Sequence, residues 1–82
     1  MQKSSDILLS LEHARLEVWA LSDGTKCVMY ANSHVKDGIA LIGTFGRGPD
    51  FEFACDHYLS KIRGKTLVFE EFGTTREVTV LG

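Results

Sequence analysis

The residues from Phe51 to Ile62 constrain the fold more than any other stretch of the chain. Phe51, Ala54, Cys55, Tyr58, Leu59 and Ile62 recur at helical spacing and share one face, while Glu52, Asp56, Ser60 and Arg63 share the other. A stripe this regular has to lie against something apolar. Both ends agree with it. Pro49 is tolerated in a first helical turn, and Asp50 or Gly48 can cap. Asp50 and Glu52 stand at the positive end of the helix dipole, and Lys61 and Arg63 at the negative end. Gly64 can take the left-handed conformation that stops a helix. The spacing predicts a helix over about 50–63.

What surrounds this helix reads as sheet. Residues 16–21 and 26–31 are β-prone runs on either side of Ser22-Asp23-Gly24-Thr25. Asp-Gly as a two-residue turn predicts a hairpin with Ala20 opposite Cys27, Trp19 opposite Val28 and Val18 opposite Met29. A polar link, 32–38, leads to a third strand over 39–45. Ile39, Leu41 and Phe45 point one way and Ala40 and Ile42 the other, so neither face of this strand is polar. Such strands are covered on both faces. The helix supplies one cover; the other falls to the N-terminal segment or to a second copy of the chain. Two more strands, 65–70 and 76–81, flank Gly73-Thr74-Thr75. The expected class is therefore α+β: an antiparallel sheet in the order β-β-β-α-β-β, with one main helix packed on one face. At the N-terminus Ser4-Ser5-Asp6 reads as the cap of a short helix bearing Ile7, Leu8, Leu11 and Ala14. The alternation of Ile7, Leu9 and Leu11 suits a strand about as well.

A length of 82 residues supports a single domain, 1–82, with a thin core. At 44% hydrophobic and 24% charged the chain is not of the disordered class. Its net charge of −2 leaves no broad basic surface for nucleic acid or an anionic membrane. The apolar run Ile7-Leu8-Leu9 is broken by Ser10 and Glu12, too short for a signal core or a membrane span. A cytoplasmic protein is expected, with Cys27 and Cys55 as free thiols behaving like small hydrophobes.

Gly43, Gly46 and Gly48 lead from a strand into the helix, where backbone N–H groups can hold a phosphate. The spacing fits neither the phosphate-loop nor the dinucleotide pattern. Pro49 removes a donor, and Asp50 and Glu52 repel an anion, so the glycines read as structural. A small-ligand or enzymatic pocket near residues 43–48 is the alternative. Cys55 and His57, two apart on a helix, point in opposite directions and cannot share a metal. His57 falls on the polar side and is expected to face solvent. His13, His34, Glu52, Asp56, Glu70 and Glu71 show no converging spacing. No catalytic, cofactor-binding or metal-binding residue is assigned, and no enzyme is expected.

Arg47, Lys61, Arg63 and Lys65 are candidates for weak anion or nucleic-acid contact, although a helix end already accounts for two of them. Phe53 lies on the far side of the helix from Tyr58 and is expected to fold back over residues 45–48. With Trp19 and Ile42 it forms the candidate interface. The expected function is a non-enzymatic protein-interaction module that self-associates, most simply as a dimer. An antitoxin-like or nucleic-acid-binding regulator is the alternative.

Gly46-Arg-Gly-Pro-Asp-Phe-Glu, Ala54-Cys55, Tyr58-Leu59, the run Lys61 to Phe69 and Arg76-Glu-Val-Thr-Val carry a resemblance. Over roughly its second half the chain resembles small uncharacterised bacterial proteins carried by phages and integron gene cassettes. That likeness implies a mobile-element setting and no activity. A looser similarity is to HicB-type antitoxins, whose β-β-β-α sheet has a glycine-rich turn entering a helix. Asp50-Phe-Glu-Phe-Ala54 matches the start of that helix only in part, and no DNA-binding segment follows, which argues against a repressor role.

Overall fold

The computed structural model describes residues 2–81. Its elements in chain order are α1 (Ser4–Leu9), β1 (Leu16–Ala20), β2 (Lys26–Tyr30), β3 (Ser33–Asp37), β4 (Ala40–Ile42), β5 (Gly46–Gly48), α2 (Phe51–Ile62), β6 (Thr66–Glu71) and β7 (Thr74–Thr79). The class is α+β, with antiparallel strands, one main helix and a short N-terminal one. The strands form two sheets, β1-β2-β5 and β4-β3-β6-β7. β2 runs into β3 through a kink at Asn32, whose φ is +54°. β3 pairs with β4, and β2 with β5. β2–β3 and β4–β5 are thus the two arms of one bent hairpin, crossing from one sheet to the other and back.

The structure departs from three expectations. The polar link 32–38 is largely a strand: Ser33 and Val35 are buried while Lys36 and Asp37 are exposed. The expected third strand over 39–45 is broken. Gly38, at φ +62°, and Ile39 form the β3–β4 turn, residues 40–42 pair with β3, and residues 43–45 are irregular. A strand that changes sheets has to interrupt its ladder, and Gly43-Thr44-Phe45 is where this one does. The first hairpin also differs in register. Trp19 faces Cys27 and Val18 faces Val28, because the turn is a three-residue loop, Ser22-Asp23-Gly24, in which only Gly24 has positive φ (+90°). One extra loop residue shifts every partner by one.

α2 is capped as its sequence implies: the Asp50 carboxylate accepts the Phe53 N–H at 2.8 Å. Ala54, Cys55, Tyr58, Leu59 and Ile62 are buried on its inner face. They meet Val28 and Tyr30 from β2, Val35 from β3, and Leu67 and Phe69 from β6. The rings of Tyr30, Tyr58 and Phe69 interlock, with Tyr30 centred 5.6 Å from Tyr58 and 5.7 Å from Phe69. Arg76 closes this cluster from above, its guanidinium 4.7 Å over the Phe69 ring.

The N-terminal segment is a helix, and it packs on α2 rather than over the sheet. Neither Ser4 nor Ser5 caps it, since both lie inside its first turn and Lys3 at the cap position offers no side-chain bond. Glu52 of α2 does the capping from outside. Its carboxylate accepts the Ser5 N–H at 3.0 Å and the Ser5 hydroxyl at 2.6 Å, and Asp56 accepts the Ser4 hydroxyl. The two bonds from Ser5 hold the Glu52 carboxyl below its ordinary value of 4.5. The folded state therefore binds this proton less readily than the unfolded state. The contribution to α1 docking is whole above pH 4.5 and is lost as the pH falls through the lower folded value. Protection of the Ser5 amide, its exchange rate relative to the intrinsic rate at the same pH, is expected to fall over that acidic window, and Glu52→Gln to remove most of that fall. Equal acid sensitivity in the variant would rule out Glu52 as the cause.

Candidate functional site

The glycine-rich entry to α2 is a packing device. Gly46 pairs with Val28 on the face that α2 covers, and a β-carbon there would drive into the backbone of Ala54 and Tyr58. A β-carbon on Gly48 would meet the Phe53 ring, so Phe53 does lie back over this segment as expected, though it stays 55% exposed. The strand can press this closely on the helix because it has no side chains at those two positions. His57 fastens the same contact. It is half-buried rather than solvent-facing, and its Nδ1 accepts the Arg47 N–H at 3.1 Å, on the side of β5 away from β2.

Cys55 is sealed inside the core, and burial pushes its thiol up to about 11, leaving essentially no thiolate at neutral pH. Cys27 is likewise buried and free. Among the described residues no cluster of three or more His, Cys, Asp or Glu side chains gathers in a metal-holding arrangement, and no helix is long and apolar enough to cross a membrane.

The exposed apolar side chains concentrate elsewhere. β4 is the terminal strand of its sheet, and its residues are all exposed. Ile39 at the turn is fully exposed, Leu41 and Ile42 are 49% and 47% exposed, and Phe45 beyond them is 39% exposed. Trp19 packs on Phe45 at 5.9 Å between ring centroids, and the Lys61 ammonium sits 5.6 Å over the same ring while donating to the Phe45 carbonyl at 3.0 Å. Trp19 and Phe45 lie on the outer side of the β1-β2-β5 sheet, Phe53 lies on α2, and Ile42 faces the helix side of β4. The three residues of the candidate interface therefore do not form one patch.

The four basic candidates are also divided. Lys61 and Lys65 rim a groove of about 280 Å³ between β4 and the C-terminal end of α2. Val35 and Ile42 are its apolar lining, and Thr44, Lys36 and Asp37 also line it. Lys36 is bound to Glu77 at 3.3 Å, whereas Lys61 and Lys65 have no carboxylate partner among the described residues. Arg47 lies apart, beside Leu21 and Asp23, and Arg63 caps the helix end. A second groove, about 270 Å³ and more apolar, lies between α1, Tyr30, Leu59 and Val80, with Glu12 at its edge.

One feature escaped the sequence reading. Phe72 and Gly73 form the two-residue β6–β7 turn with φ +49° and +81°, and Phe72 is completely exposed. The signal was Phe-Gly following directly on a β-prone run, but this turn type favours asparagine, aspartate or glycine at the first position. Compared with protein-family models, with curated proteins and with solved structures, the chain matches none.

Proposed function

We propose that this chain is a non-enzymatic protein-interaction module that associates with copies of itself through the segment 39–45. The observation that carries this reading is the exposure of every large apolar side chain in that segment, Ile39, Leu41, Ile42 and Phe45, on and beside an edge strand. The chain's own spare cover, α1, is committed to α2. An edge strand leaves unpaired backbone groups on one side, and clustered exposed apolar side chains are the usual mark of a contact surface. A second copy is the occupant that needs no other component. Light scattering coupled to size exclusion at micromolar concentration should return about twice the mass of one chain. A single-chain mass throughout would contradict the reading.

A further inference from the structure

We propose that the Phe72 tip of one copy seats in the Lys61–Lys65 groove of a second copy. The inference rests on the self-association reading and names the two surfaces that meet. Phe72 is the bulkiest kind of residue to hold at φ +49°, a conformation disfavoured for such a side chain, and it contacts no core. Strain kept at a fully exposed aromatic residue serves nothing within its own chain. Glu70 and Glu71 precede it, Glu71 reaching the Arg76 guanidinium of its own chain at 3.9 Å and Glu70 standing clear of any cation among the described residues, and Thr74 and Thr75 follow. A ring flanked by carboxylates is unsuited to an anionic membrane and suited to an apolar recess with a basic rim.

The β4–α2 groove is such a recess. Val35 and Ile42 supply its apolar lining, and Lys61 and Lys65 supply positive charge to meet the tip's carboxylates. Its volume of about 280 Å³ is ample for a phenyl ring, since an engineered cavity of about 150 Å³ holds benzene. The more apolar groove beside α1 fits less well, because Glu12 at its edge would repel the tip's carboxylates. Asp37 is the acidic residue among those lining the chosen groove, against Lys65 and Lys61, the latter tethered to the Phe45 carbonyl but carrying its full charge.

The two surfaces cannot meet within one chain. β6 runs from the groove, just after Lys65, to the tip, just before Phe72, and its six residues separate them by about 20 Å. Two copies lying side by side in opposite directions can exchange both contacts and close as a dimer.

The test uses the full chain. Phe72→Asn places a residue suited to the left-handed turn, so at dilutions where both chains are monomers its melting temperature should equal or exceed the wild type's, while its dimer dissociation constant rises at least tenfold. Lys61→Glu/Lys65→Glu should weaken the dimer similarly. Lys65→Glu alone, which spares the Lys61–Phe45 bond, guards against a folding defect. An equimolar mixture of Phe72→Asn with the double-charge variant, each monomeric alone, should form a mixed dimer through its one intact tip and one intact groove. A dimer as tight in both variants as in the wild type would overturn this inference and leave self-association standing, as would loss of the dimer in Ile39→Ala but not in Phe72→Asn. A monomeric wild type would overturn the underlying reading itself.

Discussion

Gly46→Ala should unfold most of this protein at temperatures where the wild type is intact. The added methyl group has no free direction. It points into the backbone carbonyl of Ala54 and the backbone nitrogen and β-carbon of Tyr58, so no side-chain rotation relieves the clash and α2 has to move as a body. Overpacking costs about 1–3 kcal/mol where neighbours can adjust. With helix backbone as the neighbour, about 3 kcal/mol or more is expected. For a domain of this size that lowers the melting temperature by roughly 12–24 °C. The other glycines of the segment calibrate the effect. Gly48→Ala meets the half-exposed Phe53 side chain, whose ring can turn aside while its β-carbon gives only by a small shift of the helix start, and should cost less than Gly46→Ala. Gly43→Ala meets nothing and should stay within about 0.5 kcal/mol of wild type. If Gly46→Ala melts like Gly43→Ala, α2 does not sit on β5 as described.

Tyr58→Phe is expected to cost about 1–3 kcal/mol for the loss of a single oxygen. The β2–β3 kink interrupts the sheet ladder, and the Tyr30 N–H beside it is buried. The Tyr58 hydroxyl accepts that N–H at 3.1 Å. Phenylalanine keeps the edge-on contact with the Tyr30 ring, so the variant isolates the hydrogen bond from the packing. An orphaned buried N–H has no water to turn to, which makes the loss larger than the net worth of an ordinary hydrogen bond. The Tyr30 hydroxyl performs a similar office for α1, donating to the Leu8 carbonyl at 2.6 Å. Burial raises the ionisation of both tyrosines above the ordinary value, so both hydroxyls remain protonated at neutral pH. Chemical denaturation of Tyr58→Phe beside the wild type gives the difference. Equal midpoints would mean that the kink's N–H is satisfied some other way.

The parts of this fold that sequence made legible are those where local signals act alone. α2 announces itself through stripe, cap and charge, and each of these is decided within a dozen residues. The existence of the first hairpin was equally plain, but its register depended on whether Asp23 or only Gly24 takes positive φ, which the dipeptide leaves open. Residues 33–37 were hidden because Val35 is their only large apolar side chain, while Ser33 is buried through its hydroxyl bond to the Tyr30 carbonyl at 2.8 Å. The break after Ile42 is a tertiary fact: it exists because one hairpin serves two sheets.

The candidate site follows the same division. The covering of Gly48 by Phe53 could be anticipated from the helical wheel, and so could the basic character of Lys61 and Lys65. That these two lysines flank an apolar groove depends on where β4 comes to rest beside α2. Phe72 was missed for a different reason. It breaks the turn rule that would have revealed it, and positions that defy local preference are where function is expected to override stability.

Self-association through residues 39–45 is tested most directly by amide hydrogen exchange at Leu41, Ile42 and Phe45 across a protein dilution series. Exchange at these amides should slow as concentration rises, while those of the α2 core stay constant, because only the exposed segment gains a cover. Rates at residues 39–45 that are the same in dilute and concentrated samples would contradict the account.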